Sequence, residues 1–351
     1  MPSITKPIAK HPSLRRNDLG LTIRDYEGSM STLCAGCGHD SVTAAITRAL
    51  WELSTPPHML AKLSGIGCSS KTPTYFVGGA HGFNSAHGRM PAIATGANAA
   101  NRNLTYIGVS GDGDSLSIGL GQLCHAIRRN LRMVYIIENN GVYGLTKGQF
   151  SASADVGTIS KRKEPNRMAP IDPVQLGLTL GATFIARSFS GDKEQLVPIL
   201  KAAVSHRGFA LVDVISPCVT FNDHEGSTKS YKHTRQHQVR ATEADFVPPA
   251  AEILATITPA GSTNVTMHDG SVVRFTSVPK DYDPTDHQNV STYIAEHQAK
   301  GVILTGLLYV NESGEDLHEM NKTSETALTS LPYEALCPGS AALAKLQEDY
   351  R

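Results

Sequence analysis

The 351-residue sequence predicts an α/β fold, a doubly wound and mostly parallel sheet with a C-terminal α+β extension. Three observations lead there. Residues 104–110 form a short, nearly continuous apolar run of the kind buried on both faces of a parallel sheet. Residues 116–129 then carry Leu116, Leu120, Leu123 and Ile127 on one helical face, and 133–137 is again an apolar run, which completes a βαβ unit. The same alternation recurs on both sides, with strands expected at 60–67, 182–186 and 209–215 and helices at 90–100, 172–180 and 193–204.

The bulk properties limit the function classes. The chain has 32 Lys and Arg against 32 Asp and Glu, with no long basic run, so nothing in it forms a nucleic-acid footprint. No apolar run reaches membrane-spanning length. The basic residues near the N-terminus precede no apolar core, so a secretory signal is not expected and a cytoplasmic protein is. In that setting six cysteines suggest metal or cluster ligation before disulfides.

In chain order, residues 1–30 read as an extended arm that packs on a neighbour, because Pro2, Pro7 and Pro12 and scattered charges interrupt any periodic face. A loop over 31–40 holds Cys34-x-x-Cys37 and leads into a helix to Leu53, with Asp40 or Ser41 as its cap. The strand over 60–67 ends in a glycine turn with Cys68 and Lys71 just beyond. Residues 78–84 read as a glycine-rich loop. His87-Gly88-Arg89 precedes the 90–100 helix, where a helix N-terminus beside an arginine suits an anion; His87 could equally be a cap or a packed residue. A polar loop covers 151–169. Beyond Asn222 the composition changes: a helix broken by Pro248-Pro249 is expected over 241–257, a hairpin over 265–278 turning at Asp269-Gly270, a helix over 290–300, a buried strand over 302–310, and a weakly patterned tail. The predicted divisions are an arm (1–30), an α/β domain (31–225) and an extension (226–351).

Two constellations carry chemistry. Gly111-Asp112-Gly113-Asp114 and Asn139-Asn140 each follow a predicted strand, on the sheet edge where open α/β folds place ligands. A carboxylate, an amide and a nearby carbonyl suit a hard cation such as Mg²⁺, which also takes phosphate oxygens, and the glycines admit close backbone approach to a diphosphate. Two ordinary βα turns are the plainer alternative. Cys34, Cys37, Cys68 and Cys218 all fall at that same edge by topology. Thiolates so grouped could hold zinc or an iron–sulfur cluster, or could be unligated. Cys124, mid-helix, reads as a small core residue, and Cys337 as incidental.

The spacing of Gly-Asp-Gly, about thirty residues, then Asn-Asn resembles the thiamine diphosphate fingerprint. The tail Tyr143-Gly144-Leu145-Thr146-Lys147-Gly148-Gln149 narrows this, and the chain is identified as resembling the β subunits of the 2-oxoacid:ferredoxin oxidoreductases. The resemblance spans roughly 31–225. It implies the thiamine diphosphate-binding fold type, with Asp112, Asn140 and the Val142 carbonyl binding Mg²⁺. It places Gly67, His87, Gly88, Arg89, Gly111, Gly113, Asp114, Gly144, Leu145 and Thr146 around the cofactor, and it makes Cys34, Cys37, Cys68 and Cys218 ligands of one [4Fe–4S] cluster. In many relatives the loop reads Thr-Gly-Gly-Gln; here Lys147 replaces a glycine. The implied activity is reversible, coenzyme A-dependent oxidative decarboxylation with electrons passed to ferredoxin. An α subunit supplies the pyrimidine-contacting Glu and most of the coenzyme A site, in a heterodimer or dimer of heterodimers. Lys147 and the 220–225 segment resemble the 2-oxoglutarate branch, and Lys71 could meet a distal carboxylate, with His87 a further catalytic candidate. Pyruvate or another 2-oxoacid is the alternative substrate. The rival readings are a non-oxidative thiamine diphosphate decarboxylase or carboligase, which leaves the cysteines unused, and a zinc-stabilised interaction subunit.

Overall fold

The computed structural model describes residues 11–159, 164–247, 262–267 and 270–350. Along the chain a 3₁₀ turn, Ile23–Tyr26, precedes α1 (Gly38–Glu52), a second 3₁₀ turn (Pro57–Met59), β1 (Leu60–Ser64), a third (Ser69–Lys71), α2 (Thr72–Tyr75), β2 (His81–Asn84), α3 (Met90–Ala100) and β3 (Thr105–Gly111). A π-helical stretch (Gly113–Ile118) leads to α4 (Leu120–Arg128), β4 (Met133–Asn139), and the two short strands β5 (Val142–Tyr143) and β6 (Gln149–Phe150). Then come α5 (Pro173–Thr179), β7 (Phe184–Phe189), α6 (Lys193–Ser205), β8 (Phe209–Ile215), α7 (Tyr231–His237) and β9 (Gln238–Arg240). β10 (Thr242–Val247), β11 (Ser262–Thr266), β12 (Val272–Ser277), α8 (His287–Ala299) and β13 (Ile303–Val310) complete the framework.

The main sheet runs β2-β1-β3-β4-β8-β7-β13-β9. Neighbours from β2 through to β7 are parallel, and β13 joins β7 antiparallel. The expected doubly wound architecture is present. Its strands read as continuous apolar runs because both faces are covered: in β4, Val134 and Ile136 enter one core with α1 and α6, while Met133, Tyr135 and Ile137 enter the other with α3, α4 and α5. A separate antiparallel sheet, β10-β12-β11, lays Val273 and Phe275 on the α6 side. Among the described residues no helix is long and apolar enough to cross a membrane.

Five local expectations change. The first concerns the arm: residues 11–30 fold back on their own chain, the Tyr26 hydroxyl donating to the Thr55 carbonyl at 2.7 Å and Trp51 Nε1 to the Leu21 carbonyl at 3.0 Å; residues 1–10 lie outside the description. Burial of Tyr26 anchors this stretch. The cap of α1 is Cys37, not Asp40 or Ser41, because Gly38 lies so close to Ser216 that a Cβ would stand 2.5 Å from its hydroxyl, and the helix begins there. The loop expected at 78–84 contains β2, an exposed edge strand that lacks an apolar pattern because it borders water. Residues 242–247 form β10 and not a helix, paired antiparallel with β12; the rest of that expected helix, 248–257, lies outside the description. Finally, the helix expected over 116–129 is split, with π-helix before Gly119 and α-helix after it. The expected hairpin is there, β11 paired with β12, with Gly270 at φ +80° and Asp269 outside the description.

Candidate functional site

β1, β3, β4 and β8 deliver Cys68, Asp112, Asn140 and Cys218 to one edge of the sheet, at the C-terminal ends of the strands. The chain leaves β1 outward to β2 and returns to β3 on the other side, so the edge between β1 and β3 is a topological switch point. There a small cavity is lined by Gly67, Cys68, His87, Gly111, Asp112, Gly113, Asp114, Asn140, Val142, Gly144, Leu145 and Thr146, together with Ile66, Ser69 and Tyr143. Twelve of the sequence-derived candidates therefore meet in one place. Arg89 is exposed and its Nη1 turns to the Gly88 carbonyl at 3.4 Å; Gly88, Lys71, Cys34, Cys37 and Cys218 stand outside the lining.

Asp112 is 1% exposed. Its carboxylate accepts from the Gly141 amide at 3.0 Å, from the Asn140 amide at 3.4 Å, from Ser153 Oγ at 2.6 Å and from Ser151 Oγ. Hydroxyls and amides surround it, with no lysine or arginine among those partners. Burial consequently pushes its pKa up, against the lowering effect of those hydrogen bonds. A divalent cation would supply the missing positive charge. The Asn140 side-chain oxygen accepts from the Val142 amide at 3.0 Å, which leaves it a second lone pair. The donors are hard oxygens, and they fit Mg²⁺.

Asp114, which lines the same cleft, also has a local job. Its Oδ1 accepts from the Gly88 amide at 2.9 Å and lies 2.7 Å from His87 Nδ1, and its Oδ2 accepts from Ser110 Oγ at 2.7 Å. It thus fastens the His87-Gly88 loop over the end of β3. The glycines around it are obligatory. A Cβ on Gly65 would stand 2.0 Å from Asp114 Oδ2, and one on Gly88 would stand 2.7 Å from Gly119 Cα. Gly113 packs under Tyr143, where a Cβ would lie 2.5 Å from the ring, and the Tyr143 hydroxyl donates to the Gly113 carbonyl at 3.1 Å.

The four cysteines approach the same loop. A Cβ on Gly144 would stand 3.5 Å from Cys68 Sγ and 3.7 Å from Cys218 Sγ, so that residue is the floor between the two thiols and the diphosphate candidates. Cys34 Sγ accepts from Thr220 Oγ1 at 3.4 Å, two residues beyond Cys218. Burial pushes the Cys37 thiol up to about 12 and raises Cys68, with Cys218 acting in the same direction on both and Lys71 acting to lower Cys68. All four thiols are free. Among the described residues no group of three or more His, Cys, Asp or Glu is closed tightly enough to hold a metal ion as it stands. Four thiols brought towards one glycine are a soft ligand set, of the kind that holds zinc or an iron–sulfur cluster. Cys124 is partly exposed on α4 and not in the core, and Cys337 is exposed.

Sequence reasoning missed the supports. Ser151 and Ser153 both reach Asp112, and Ser153 Oγ also lies 2.9 Å from Asn139 Oδ1. Asn139 donates to Asp213 at 3.0 Å, Arg187 joins Asp213 and Asp172 at 2.7 Å each, and Asp172 caps α5. The one signal available was the i, i+2 spacing of two serines after Gln149, in a stretch with no other sign of burial.

This sheet edge, with a carboxylate and an asparagine facing a glycine-lined cleft, defines a thiamine diphosphate-type α/β protein. In agreement, residues 65–214 match the family described as "Thiamine pyrophosphate enzyme, C-terminal TPP binding domain". The chain is 39% identical over 222 residues to 2-oxoglutarate oxidoreductase subunit KorB of Mycobacterium tuberculosis, covering 63% of this chain and 59% of that protein. It is 41% identical over 207 residues to the 2-oxoacid:ferredoxin oxidoreductase subunit beta of Saccharolobus solfataricus (59% of this chain, 67% of that one). It is 33% identical over 189 residues to 2-oxoglutarate synthase subunit KorB of Methanocaldococcus jannaschii (54% and 69%). A solved 2-oxoglutarate:ferredoxin oxidoreductase from Magnetococcus marinus, with 2-oxoglutarate, coenzyme A and succinyl-CoA bound, superposes with a TM-score of 0.70 at 29% identity, over 86% of this chain and 89% of that one. The chain belongs to the β subunits of the 2-oxoacid:ferredoxin oxidoreductases. Its match spans 59% of the mycobacterial relative's length, under two thirds.

Proposed function

We propose that this chain is the β subunit of a 2-oxoglutarate:ferredoxin oxidoreductase, holding thiamine diphosphate, Mg²⁺ and one [4Fe–4S] cluster and working with an α subunit. The observation that carries the reading is Gly144. The loop that lines the diphosphate cleft is also the floor beneath Cys68 and Cys218, so a cofactor held in the cleft would lie next to the residues that would hold an electron acceptor. Thiamine diphosphate, when bound, supplies the carbanion chemistry that releases CO₂ from a 2-oxoacid, and the protein supplies position and field. In this chain Asp112 and Asn140 hold the cation, the Ser151 and Ser153 hydroxyls orient Asp112, and Asp114 fixes the His87 loop. Cys34, Cys37, Cys68 and Cys218 are the cluster ligands. Coenzyme A is the acyl acceptor, held mainly by the α subunit, and ferredoxin takes the electrons. The 2-oxoglutarate preference rests on the names of the mycobacterial and methanogen relatives and on the ligands of the Magnetococcus structure.

Lys71 bears on that preference. It is half-buried, and its charge acts on Cys68. A distal carboxylate entering a closed site must lose water, which costs free energy unless a cation meets it. The test is coenzyme A-dependent viologen reduction by the co-expressed αβ complex, with a panel of 2-oxoacids. The reading expects 2-oxoglutarate to be preferred, no turnover from the isolated chain, and loss of cofactor binding in Asp112→Ala with the iron retained. Lys71→Ala should lower kcat/KM for 2-oxoglutarate about ten- to a hundredfold and that for 2-oxobutyrate far less. A complex that prefers pyruvate would overturn the substrate assignment, and turnover by the single chain would overturn the assignment as a half-enzyme.

A further inference from the structure

Beneath the cysteines lies a buried polar cluster that the proposed chemistry does not use. Glu138 is 0% exposed and His39 1% exposed, an unusual pair to find in the interior of a sheet. Glu138 accepts from the Thr72 hydroxyl, whose Oγ1 lies 3.0 Å from one carboxyl oxygen and 3.1 Å from the other, and from the Ser69 hydroxyl. His39 Nδ1 lies 2.7 Å from Ser216 Oγ and 3.4 Å from Glu138 Oε2, and its Nε2 lies 3.2 Å from Ser69 Oγ.

What matters is where these five residues sit in the chain. His39 is two residues after Cys37. Ser69 follows Cys68 directly and Thr72 closes the same turn. Ser216 is two residues before Cys218, and Glu138 is two residues before Asn140. Three cysteine-bearing segments that are far apart in sequence, and the strand that ends at the cation candidate, thus share one hydrogen-bonded hub. The backbone repeats the arrangement: the Gly38 amide donates to the Pro217 carbonyl at 3.3 Å, and Gly38 has no room for a Cβ against Ser216. An ordinary packed interior would satisfy these positions with apolar side chains at lower desolvation cost. A hub that is fully hydrogen-bonded instead fixes one arrangement of the segments it joins.

We propose that His39 and Glu138, with Ser69 and Ser216, are positioning residues that set the mutual spacing of Cys37, Cys68 and Cys218, and so the retention and the electronic environment of the cluster those thiols hold. This inference rests on the cluster reading above. Second partners of ligands tune metal sites in general, by orientation and by hydrogen bonding.

The test uses the full chain co-expressed with its α subunit and compares Glu138→Leu, Glu138→Gln and the double variant Ser69→Ala/Ser216→Ala with the parent. Three quantities are read: iron per chain, the electron paramagnetic resonance line shape and midpoint potential of the reduced cluster, and the rate of iron loss to a chelator. Glu138→Gln keeps an acceptor for Thr72 and should stay close to the parent in iron content. Glu138→Leu should lose iron about tenfold faster and change the line shape. The serine double variant leaves packing nearly intact, so it decides the matter even if Glu138→Leu fails to fold. It should shift the reduction equilibrium several-fold, where tenfold is about 59 mV for one electron. A parent with four irons and a serine double variant identical to it in potential, line shape and iron loss would overturn the positioning role alone. A parent with no iron would overturn the cluster reading and this inference with it.

Discussion

At the scale of single residues, the loop after β5 shows how a motif and its local geometry can part company. Lys147 sits at φ +80°, followed by Gly148 at φ +95°, in left-handed backbone that favours glycine. Gly148 could not be replaced, since a Cβ there would lie 2.9 Å from the Phe221 ring. Lys147 is in that conformation at a cost. Changing Lys147→Gly should raise the unfolding free energy by up to about 1 kcal/mol, the relief of a left-handed side chain less the added freedom of the unfolded chain. Denaturant titration of the two chains checks it, and a lower midpoint for the glycine variant would mean that the lysine makes stabilising contacts that exceed the strain. The residues that could be picked out from sequence, Asp112, Asn140 and the cysteines, were legible because their chemistry is rare and their spacing fixed. Ser151, Ser153, His39 and Glu138 were not, because a serine or a lone buried acid has no signature until the fold supplies its partner.

At the scale of elements, the buried strands and amphipathic helices were legible from period alone, and the failures share one cause. β2 and β10 lie at sheet edges, where one side meets water or a second small sheet, so neither shows the continuous apolar run of β3, β4 or β8. The contacts that join elements were also invisible in sequence. Arg187 on β7 is buried between Asp213 on β8 and Asp172 at the cap of α5, at 2.7 Å to each. Burial alone would lower its pKa, but the two carboxylates outweigh that and raise it. The cost of desolvating this triad is already met by the pairing, so removing one member leaves charges unpaired. Arg187→Leu should therefore destabilise the chain by about 3–5 kcal/mol, visible as a large fall in thermal midpoint. A change under 1 kcal/mol would mean that water reaches the two carboxylates. Because Asp213 also binds Asn139, the same variant should weaken cofactor binding through the link to Ser153 and Asp112.

For the whole molecule, part of the acid sensitivity follows from a buried imidazole, His206, and burial shifts His39 in the same direction. His206 is 6% exposed, Nε2 2.8 Å from Thr183 Oγ1, and burial with help from Arg132 lowers its pKa to about 4. In the unfolded chain the same group takes its proton near pH 6.5. Between those values the unfolded state binds more protons, so stability rises with pH and is lost as pH falls from about 6.5 towards 4, by on the order of 3 kcal/mol from this group. Unfolding free energies measured across that window should show the slope, and His206→Gln should reduce it by this group's share while leaving that of His39; an unchanged slope would assign the acid sensitivity to other groups.

The order of strands in the main sheet has a consequence in time. β8 lies between β4 and β7 yet is the last, along the chain, of the parallel run from β2 to β7. While a chain is being synthesised, β4 and β7 emerge with facing edges that have no partner, both strands buried and apolar in the finished protein. Such edges are prone to pair with the wrong chain. Only when residues 209–215 emerge can the gap close, and Cys218 follows three residues later. The keystone strand and the final thiol of the proposed ligand set thus arrive together, so a nascent chain cannot complete those ligands before the strand that closes the gap between β4 and β7 has emerged, and a chaperone would have most to shield in the interval just before.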